Sequence, residues 1–223
     1  MEDFTCLVNK DEKDIIFERI RSLSPLLSII ETSHADVCAE EKREFFSQAQ
    51  YSRRRSESTN MRTRNRWAQD QKDNLWKIVD PNYTHLRDDV TGMRLELHPV
   101  RGWGNGLPKP ANTISARARY TQSKCLPADA IQLNIFHGDL VPDLSKVLLV
   151  AAWQIINSQA QITIYKPTNP KRDLSCLEIP LFGDSEKQSE IQFEASSENE
   201  MLIPELVDEP SEVSQASQTK GTN

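Results

Sequence analysis

The residues with the clearest chemistry are six arginines between Ser52 and Arg66. They are Arg53, Arg54, Arg55, Arg62, Arg64 and Arg66. Glu57 is the one acidic residue among them, so the stretch carries a net charge of +5 over fifteen residues. An arginine guanidinium binds phosphate through two parallel hydrogen bonds and stacks on bases, so this pattern predicts contacts with nucleic acid, RNA in particular. A solvated linker, the polar face of an extended helix and a nuclear import signal are the alternatives that the pattern leaves open.

A second pair of arginines lies between Thr113 and Lys124. Ile114, Ala116, Ala118 and Tyr120 alternate there with Ser115, Arg117, Arg119 and Thr121. This period of two predicts a strand with Arg117 and Arg119 on its exposed face. We expect the two side chains to extend the basic surface for nucleic acid, and an ordinary solvated strand face is the alternative.

Residues typical of catalysis or metal binding do not cluster along the sequence. The four histidines are isolated, and no GxSxG, HExxH or phosphate-binding loop is present. His137, two residues before Asp139, is the candidate for a hydrolase, whereas Asp88 and Asp89 are interpreted as a loop before Gly92. The four cysteines lack CxxC spacing and predict free thiols in a reducing compartment. We therefore expect a non-enzymatic protein with no metal and no cofactor.

Six stretches after Arg66 have the pattern of strands. They are MRLELHPV, TISARARY, AIQLNIF, KVLLVAAWQII, AQITIYK and SCLEIPLF. In AIQLNIF the buried face is expected to carry Ile131, Leu133 and Ile135, and in AQITIYK it carries Ile162 and Ile164. AIQLNIF, KVLLVAAWQII and AQITIYK are interpreted as a central meander. SCLEIPLF is interpreted as a last strand at the edge. Because the connections are short and polar, we predict a mostly antiparallel core that is a sandwich, a barrel or a curled sheet.

Helices are predicted before the arginines. Ile15, Ile16, Ile20 and Leu23 fall on one stripe of a first helix. Ser24 followed by Pro25 predicts a stop and a restart, and a further helix is expected from about Ala35 to Gln50. The apolar face of these helices packs on the core, or it mediates self-association.

The last forty residues differ in composition from the rest of the chain. Ten acidic residues and two lysines fall between residues 184 and 223, so this stretch has a net charge of −8 and the remainder of the chain carries +2. The segment is expected to be disordered. Within it lies a short apolar stretch that predicts docking to a protein partner, formed by Met201, Leu202, Ile203, Leu206 and Val207.

These patterns together predict an α+β protein with four parts. The parts are N-terminal helices over residues 1–51, an arginine-rich flexible linker over 52–72, a β-rich core over 73–183 and a disordered acidic tail over 184–223. No transmembrane segment and no secretory signal are expected, which favours an intracellular location in the cytoplasm, and in the nucleus if the arginines are an import signal.

In layout, a β-rich core with flexible charged arms, the chain resembles small viral structural or accessory proteins such as matrix or movement proteins. The resemblance implies a non-enzymatic protein that associates with RNA or another nucleic acid. The alternative is a protein-interaction adaptor that recruits partners through its helices and through Met201–Val207 in the acidic tail.

Overall fold

The computed structural model describes residues 4–43, 52–100, 106–169 and 174–182, all of them within one unit, residues 1–187. The α+β class is confirmed, since helices are combined with a mixed sheet of six strands and a small sheet of two. The helices are α1 (Glu12–Ile20), α2 (Pro25–Arg43), α3 (Ser52–Asp70) and α4 (Ile114–Tyr120). The strands are β1 (Trp76–Ile78), β2 (His85–Asp88), β3 (Arg94–Pro99), β4 (Leu133–Phe136), β5 (Asp139–Pro142), β6 (Leu148–Ile156), β7 (Gln159–Asn169) and β8 (Leu174–Leu181).

Several predicted features lie outside the described residues. They are the acidic tail over 184–223 with its segment Met201–Val207 and the end of the predicted helix at 44–50. In the described part of the chain, none of the helices has the length and apolar character needed to cross a membrane.

The N-terminal helices follow the predicted apolar stripe. Ile15, Ile16, Ile20 and Leu23 are all buried, and α2 begins at Pro25 as expected. From there α2 continues unbroken to Arg43, where two separate helices were predicted. Its buried residues Ile29, Ile30, Ser33 and Val37 keep helical spacing and no proline or glycine intervenes, so nothing interrupts the helix.

The arginine-rich stretch is a nineteen-residue helix, not the flexible linker expected over residues 52–72. Thr59, Thr63 and Trp67 are buried at intervals of four residues and form the stripe by which α3 packs. Two of these three side chains are polar, so an analysis based on apolar periodicity does not detect the stripe. The other proposed alternative, the polar face of a long helix, is closer to the structure.

The six-stranded sheet has the order β1-β2-β3-β6-β7-β8 and is open, with β1 and β8 at its edges. Among the described residues it is one sheet and not the expected sandwich or barrel. Its strand pairs are antiparallel except for β3 with β6, which are parallel. Residues 100–147 connect these two strands and are long enough for the crossover that a parallel pair requires. The neighbours of β6 are therefore β3 and β7, so AIQLNIF is not part of a central meander.

Four predicted strands are confirmed in this sheet. The first six residues of β6 are buried on both faces, and Ile162 and Ile164 of β7 point into the core. Asn157 and Ser158 form the turn between β6 and β7, with φ of 51° and 67°. Two residues with positive φ match the twist of a tight hairpin. MRLELHPV contains β3, and β8 is an edge strand that includes Pro180.

The stretch AIQLNIF forms β4, which pairs with β5 in a separate small hairpin. The prediction that Leu133 and Ile135 are buried is wrong, because they are 47% and 70% exposed. The opposite face carries the packing, where the Phe136 ring lies 5.7 Å from the ring of Phe4. Alternation shows that one face of a strand is apolar, but it does not show that anything within the chain covers that face.

The stretch TISARARY is the helix α4, so the predicted strand is wrong. Ala116 and Tyr120 are its buried residues, and they are four apart. That spacing fits one face of a strand and one face of a helix equally well. The Thr113 side chain decides between them, because its hydroxyl accepts a hydrogen bond from the Ala116 backbone N–H and caps the helix.

The sheet has one face covered by α1, α2 and α3. Two buried ion pairs join α1 to this face, Arg19 with Asp88 and Glu12 with Lys166. A hydrogen bond also joins α3 to this face, because the Trp153 indole N–H donates to the Asn60 side chain at 2.8 Å. On the other face, α4 and the residues around it cover the β6 and β7 part. The part formed by β1, β2 and β3 carries a groove on this second face.

Candidate functional site

Three of the six predicted phosphate-binding arginines of α3 are paired with acidic residues of α2. Arg55 donates to Glu41 at 2.6 Å, and Arg66 donates to Asp36 at 2.5 Å. Arg62 lies between Glu40, with which it forms a short ion pair, and Asp36 at 3.7 Å. These arginines hold α3 on α2, so a phosphate would have to compete with carboxylates already in place.

The remaining arginines of α3 lie away from this helix contact. Arg53 pairs with Glu57 on its own helix at 2.8 Å, and the Arg64 guanidinium donates to the Asn65 side chain at 3.0 Å. Arg53 and Arg54 are exposed near the start of the helix. The structure therefore does not bring the six side chains together as one surface, and their contacts with nucleic acid stay a prediction.

Removing the charges of α2 is expected to destabilise the pairing of α2 with α3. The variant Asp36→Asn/Glu40→Gln/Glu41→Gln should lower the free energy of unfolding by about 1–3 kcal/mol, summed over four ion pairs, three of which have both partners partly exposed. The loss should shrink in added salt, which screens the exposed pairs. Urea unfolding at two ionic strengths measures both.

The matched control for this variant is Asp73→Asn/Asp89→Asn/Asp129→Asn, which removes the same charge at three exposed positions. Equal stability of the two variants would show that the ion pairs with α3 do not hold the helices together.

A groove of about 620 Å³ lies on the open sheet face, between the first three strands and α4. Four cations line it, and they are Arg87, Arg94, Arg119 and Lys146. The groove also contains His85, Glu96 and Asp80. Of the two arginines predicted on TISARARY, it includes Arg119 but not Arg117, because residues two apart on a helix point about 200° away from each other. Arg117 instead forms a short hydrogen bond with the Asn112 side chain.

Basic side chains form a row across three strands beside this groove. Lys77 of β1 is directly opposite Arg87 of β2, and Arg87 is directly opposite Arg94 of β3. Like charges in directly opposed positions repel one another and destabilise a sheet. The Lys77 ammonium donates to the backbone carbonyl of Lys72, but within the described ranges no carboxylate forms an ion pair with Arg87, Arg94 or Lys146. A bound anion would relieve this repulsion.

The charge of Arg119 is already neutralised by Glu96. Arg119 donates to one Glu96 oxygen at 2.6 Å, and His98 Nε2 lies 3.4 Å from the other. Burial alone would raise the pKa of Glu96, but the hydrogen bond from His98 and the charge of Arg119 lower it below its usual value. Glu96 is therefore ionised at neutral pH, and the uncompensated positive charge of the groove belongs to Arg87, Arg94 and Lys146.

Two aromatic rings lie at the edge of the groove. The rings of Tyr83 and His85 are stacked, with centroids 5.4 Å apart and planes inclined by 18°. Tyr83 is 63% exposed, which leaves its outer face free of any described ring. An exposed aromatic ring beside a basic groove is the arrangement on which bases of single-stranded nucleic acid stack.

The position of His85 makes stability depend on pH. Burial lowers its pKa, although the charges of Glu96 and Asp80 oppose the shift. Below about pH 6.5 the unfolded histidine binds a proton that the folded one resists, so stability should fall as pH decreases. We expect His85→Gln to flatten the dependence of unfolding free energy on pH between about pH 7.5 and 5.5.

Chemical unfolding at several pH values measures this effect. The comparison variant is His34→Gln on α2: burial lowers the pKa of His34 as well, so each variant should remove only its own part of the pH dependence and the double variant the sum of both. If the His85 variant kept the full pH dependence of the wild-type protein, the contribution of His85 would be refuted.

His137 and the four cysteines do not line this groove. His137 and Gly138 make the two-residue turn of the β4–β5 hairpin, with φ of 50° and 97°. None of the described cysteines forms a disulfide in this structure. Among the described residues, no three or more His, Cys, Asp or Glu side chains are grouped so that they could hold a metal ion.

Arg87, Arg94 and Lys146 were not predicted as site residues. The alternation of MRLELHPV predicts that Arg94, Glu96 and His98 share a half-exposed strand face; in the structure Arg94 is exposed on that face and Glu96 is buried. The missing information was the register, which places Arg87 opposite Arg94, and the crossover, which brings Lys146 beside them.

A comparison of the chain with protein-family models, with curated proteins and with solved structures finds no significant match. Function therefore has to be inferred from the chain's own residues.

Proposed function

We propose that the protein is a non-enzymatic, nucleic-acid-associated protein of the structural or accessory kind, which binds the phosphate backbone in the groove on its open sheet face. The observation that carries the proposal is the set of three exposed cations, Arg87, Arg94 and Lys146, that have no ion-pair partner among the described residues. The viral character implied by the layout, with its likeness to matrix or movement proteins, belongs to this proposal.

The geometry of the groove favours a phosphate backbone over a single small anion. Arg87 and Arg94 stand on neighbouring strands, and Lys146 precedes a third, so the positive charge extends across the sheet. Extended basic surfaces recognise nucleic acid mainly through phosphates and therefore without regard to sequence. Tyr83 and His85 add a stacking surface, which favours single strands, RNA included.

The field of Lys146 and Arg87 extends to one neighbouring carboxylate, Asp143, which offsets part of their charge without forming an ion pair with them. The pKa of Asp143 is lowered first by the hydrogen bond from the Ser145 backbone N–H and further by the charges of Lys146 and Arg87. The positive charge of the groove therefore reaches the loop before β6, although it forms no ion pair there. The exposed Arg53 and Arg54 of α3 are proposed to add to the attraction without forming the site.

A protein-interaction adaptor is the second candidate function. It is favoured by the β4–β5 hairpin, whose outer face exposes Leu133, Ile135 and Leu140, the last by 53%. Exposed apolar patches are typical of protein-binding surfaces. Together with the predicted partner segment Met201–Val207, this face would recruit proteins or a second copy of the chain. In that case deletion of residues 184–223 should reduce partner capture while the fold remains intact.

The experiment that separates the two candidates is a binding titration with labelled single-stranded RNA and with duplex DNA. The groove variant Arg87→Gln/Arg94→Gln/Lys146→Gln is compared with Arg21→Gln/Lys42→Gln/Arg43→Gln, which removes the same charge at exposed positions elsewhere. We expect binding by the wild type and by the control variant, and much weaker binding by the groove variant. Equal binding by the two variants would refute the groove as the site, and no binding by the wild type would refute the function.

A further inference from the structure

Two cysteine thiols that are far apart in the sequence lie in contact. Cys125 follows α4, Cys176 is in β8, and their sulfur atoms are 3.8 Å apart. Both side chains are half-buried, so small molecules in solution can reach them. The other two thiols have different neighbours, since Cys6 lies 3.6 Å from a Glu18 oxygen and Cys38 lies 3.7 Å from His34 Nε2.

The surroundings of the pair make its two sulfur atoms unequal. The hydrogen bond from Cys125 lowers the pKa of Cys176 to about 7, and the charge of the buried Lys166 acts in the same direction. The same hydrogen bond raises the pKa of Cys125. Since the thiolate is the reactive form of cysteine, Cys176 is the nucleophile at neutral pH and Cys125 is the resolving thiol.

We propose that Cys125 and Cys176 form a modification site for hydroperoxides, at which peroxide converts the two thiols into an intramolecular disulfide. The Cys176 thiolate attacks one oxygen of hydrogen peroxide, the O–O bond breaks, and the departing hydroxide takes up a proton to become water. Cys176 is then a sulfenic acid. The Cys125 sulfur attacks the Cys176 sulfur, the S–O bond breaks, and a second water leaves. The two sulfurs together lose two electrons, which the peroxide gains, and the protons of the thiols end in water.

The disulfide would tie the segment after α4 to the edge strand β8. In the disulfide the two sulfur atoms, which lie 3.8 Å apart as thiols, would be joined by a bond of about 2 Å. The closed ring contains about 50 residues, which restricts the unfolded chain. For a protein of this size we expect oxidation to raise the Tm by on the order of 10 °C. The site is independent of the groove and of nucleic-acid binding.

The test uses the reduced full-length protein treated with a small excess of hydrogen peroxide. After denaturation and alkylation with iodoacetamide, intact mass spectrometry counts the free thiols. We expect the number of alkylated cysteines to fall from four to two, with a tryptic cross-link between peptides 125–146 and 173–187. A thiol reductant should restore all four. Four alkylated cysteines after treatment, or a link through Cys6 or Cys38, would overturn the proposal.

Two variants separate the roles of the sulfur atoms. In Cys125→Ser the sulfenic acid on Cys176 has no resolving thiol, so a dimedone-type reagent should label it. In Cys176→Ser the remaining Cys125 should stay unlabelled. Neither variant should show the rise in Tm after peroxide treatment. Labelling of Cys125 in place of Cys176, or the same rise in Tm in either variant, would contradict the mechanism.

Discussion

Replacing Asp88 with alanine is expected to lower the free energy of unfolding by about 3–5 kcal/mol, the range measured when one partner of a buried ion pair is removed. Asp88 is fully buried at the end of β2. Its two carboxylate oxygens accept hydrogen bonds from Arg19 at 2.8 and 3.2 Å, and one of them also accepts from the Thr91 hydroxyl at 2.6 Å. The substitution leaves the Arg19 guanidinium without an ion-pair partner among the described residues.

The size of this loss follows from what remains after the substitution. Arg19 is 8% exposed and lies 5.7 Å from the centre of the Phe4 ring, so water cannot solvate its charge fully. Arg19 is also on α1, so the same contact anchors the N-terminal helices to the sheet. Urea unfolding followed by tryptophan fluorescence measures the change, since Trp76 donates to the Arg19 carbonyl at 3.0 Å.

The double variant Arg19→Met/Asp88→Leu is the control for Asp88→Ala. It removes both charges, and we expect it to recover most of the stability lost in the single variant. If Asp88→Ala were as stable as the wild-type protein, the ion pair would not anchor α1. If the double variant were less stable than the single one, the loss would come from packing and not from an uncompensated charge.

Reversing the charge of Arg94 is expected to weaken binding of nucleic acid by about 10- to 100-fold, the equivalent of one charge-assisted hydrogen bond. The same change should slightly stabilise the fold. Arg94 is directly opposite Arg87 on β2, and Arg94→Glu turns a repelling pair into an attracting one. If Arg94 serves a ligand, reversing its charge should weaken binding and at the same time raise the stability of the fold.

Thermal unfolding and a binding titration on the same preparation measure both effects of Arg94→Glu. The control is Arg21→Glu, which makes the same change of net charge at an exposed position outside the groove. A variant that loses stability while keeping its affinity would mean that Arg94 has a structural role only.

The parts of the fold that could be predicted are those in which local pattern and packing agree. In β7, Ile162 and Ile164 alternate with polar residues and are buried as expected. In the first helix the stripe of Ile15, Ile16 and Ile20 is also buried as expected. In each of these elements the apolar side chains face a core made by the rest of the same chain. The local pattern is therefore sufficient to predict which residues are buried.

Prediction failed where a second factor decided the structure. Ala116 and Tyr120 fit a strand or a helix, and the Thr113 cap selects the helix. In α3 the buried Thr59 and Thr63 carry no apolar signal, and the helix is stabilised by ion pairs with α2. Ion pairs between two helices depend on how the helices are placed, which local sequence does not specify.

In the candidate site, too, local pattern predicts the position of one residue, whereas the positions of its neighbours depend on how the strands pair. Arg94 could be placed on the polar face of its strand, because polar and apolar residues alternate in the sequence, although Glu96 on that face is buried in the structure. Arg87 lies opposite Arg94 only because β2 pairs with β3. Lys146 lies beside them because β3 forms a parallel pair with β6. Long-range pairing of this kind has no signal within a window of ten residues.

The most direct test of the groove as a phosphate-binding site is the salt dependence of its affinity for single-stranded RNA. The logarithm of the binding constant falls linearly with the logarithm of the salt concentration, by about 0.7 for each phosphate contact to a single strand. We expect the variant Arg87→Gln/Arg94→Gln/Lys146→Gln to have a slope shallower than that of the wild-type protein by about 2, for three lost contacts. The same slope and the same affinity in both proteins would contradict the assignment of the groove.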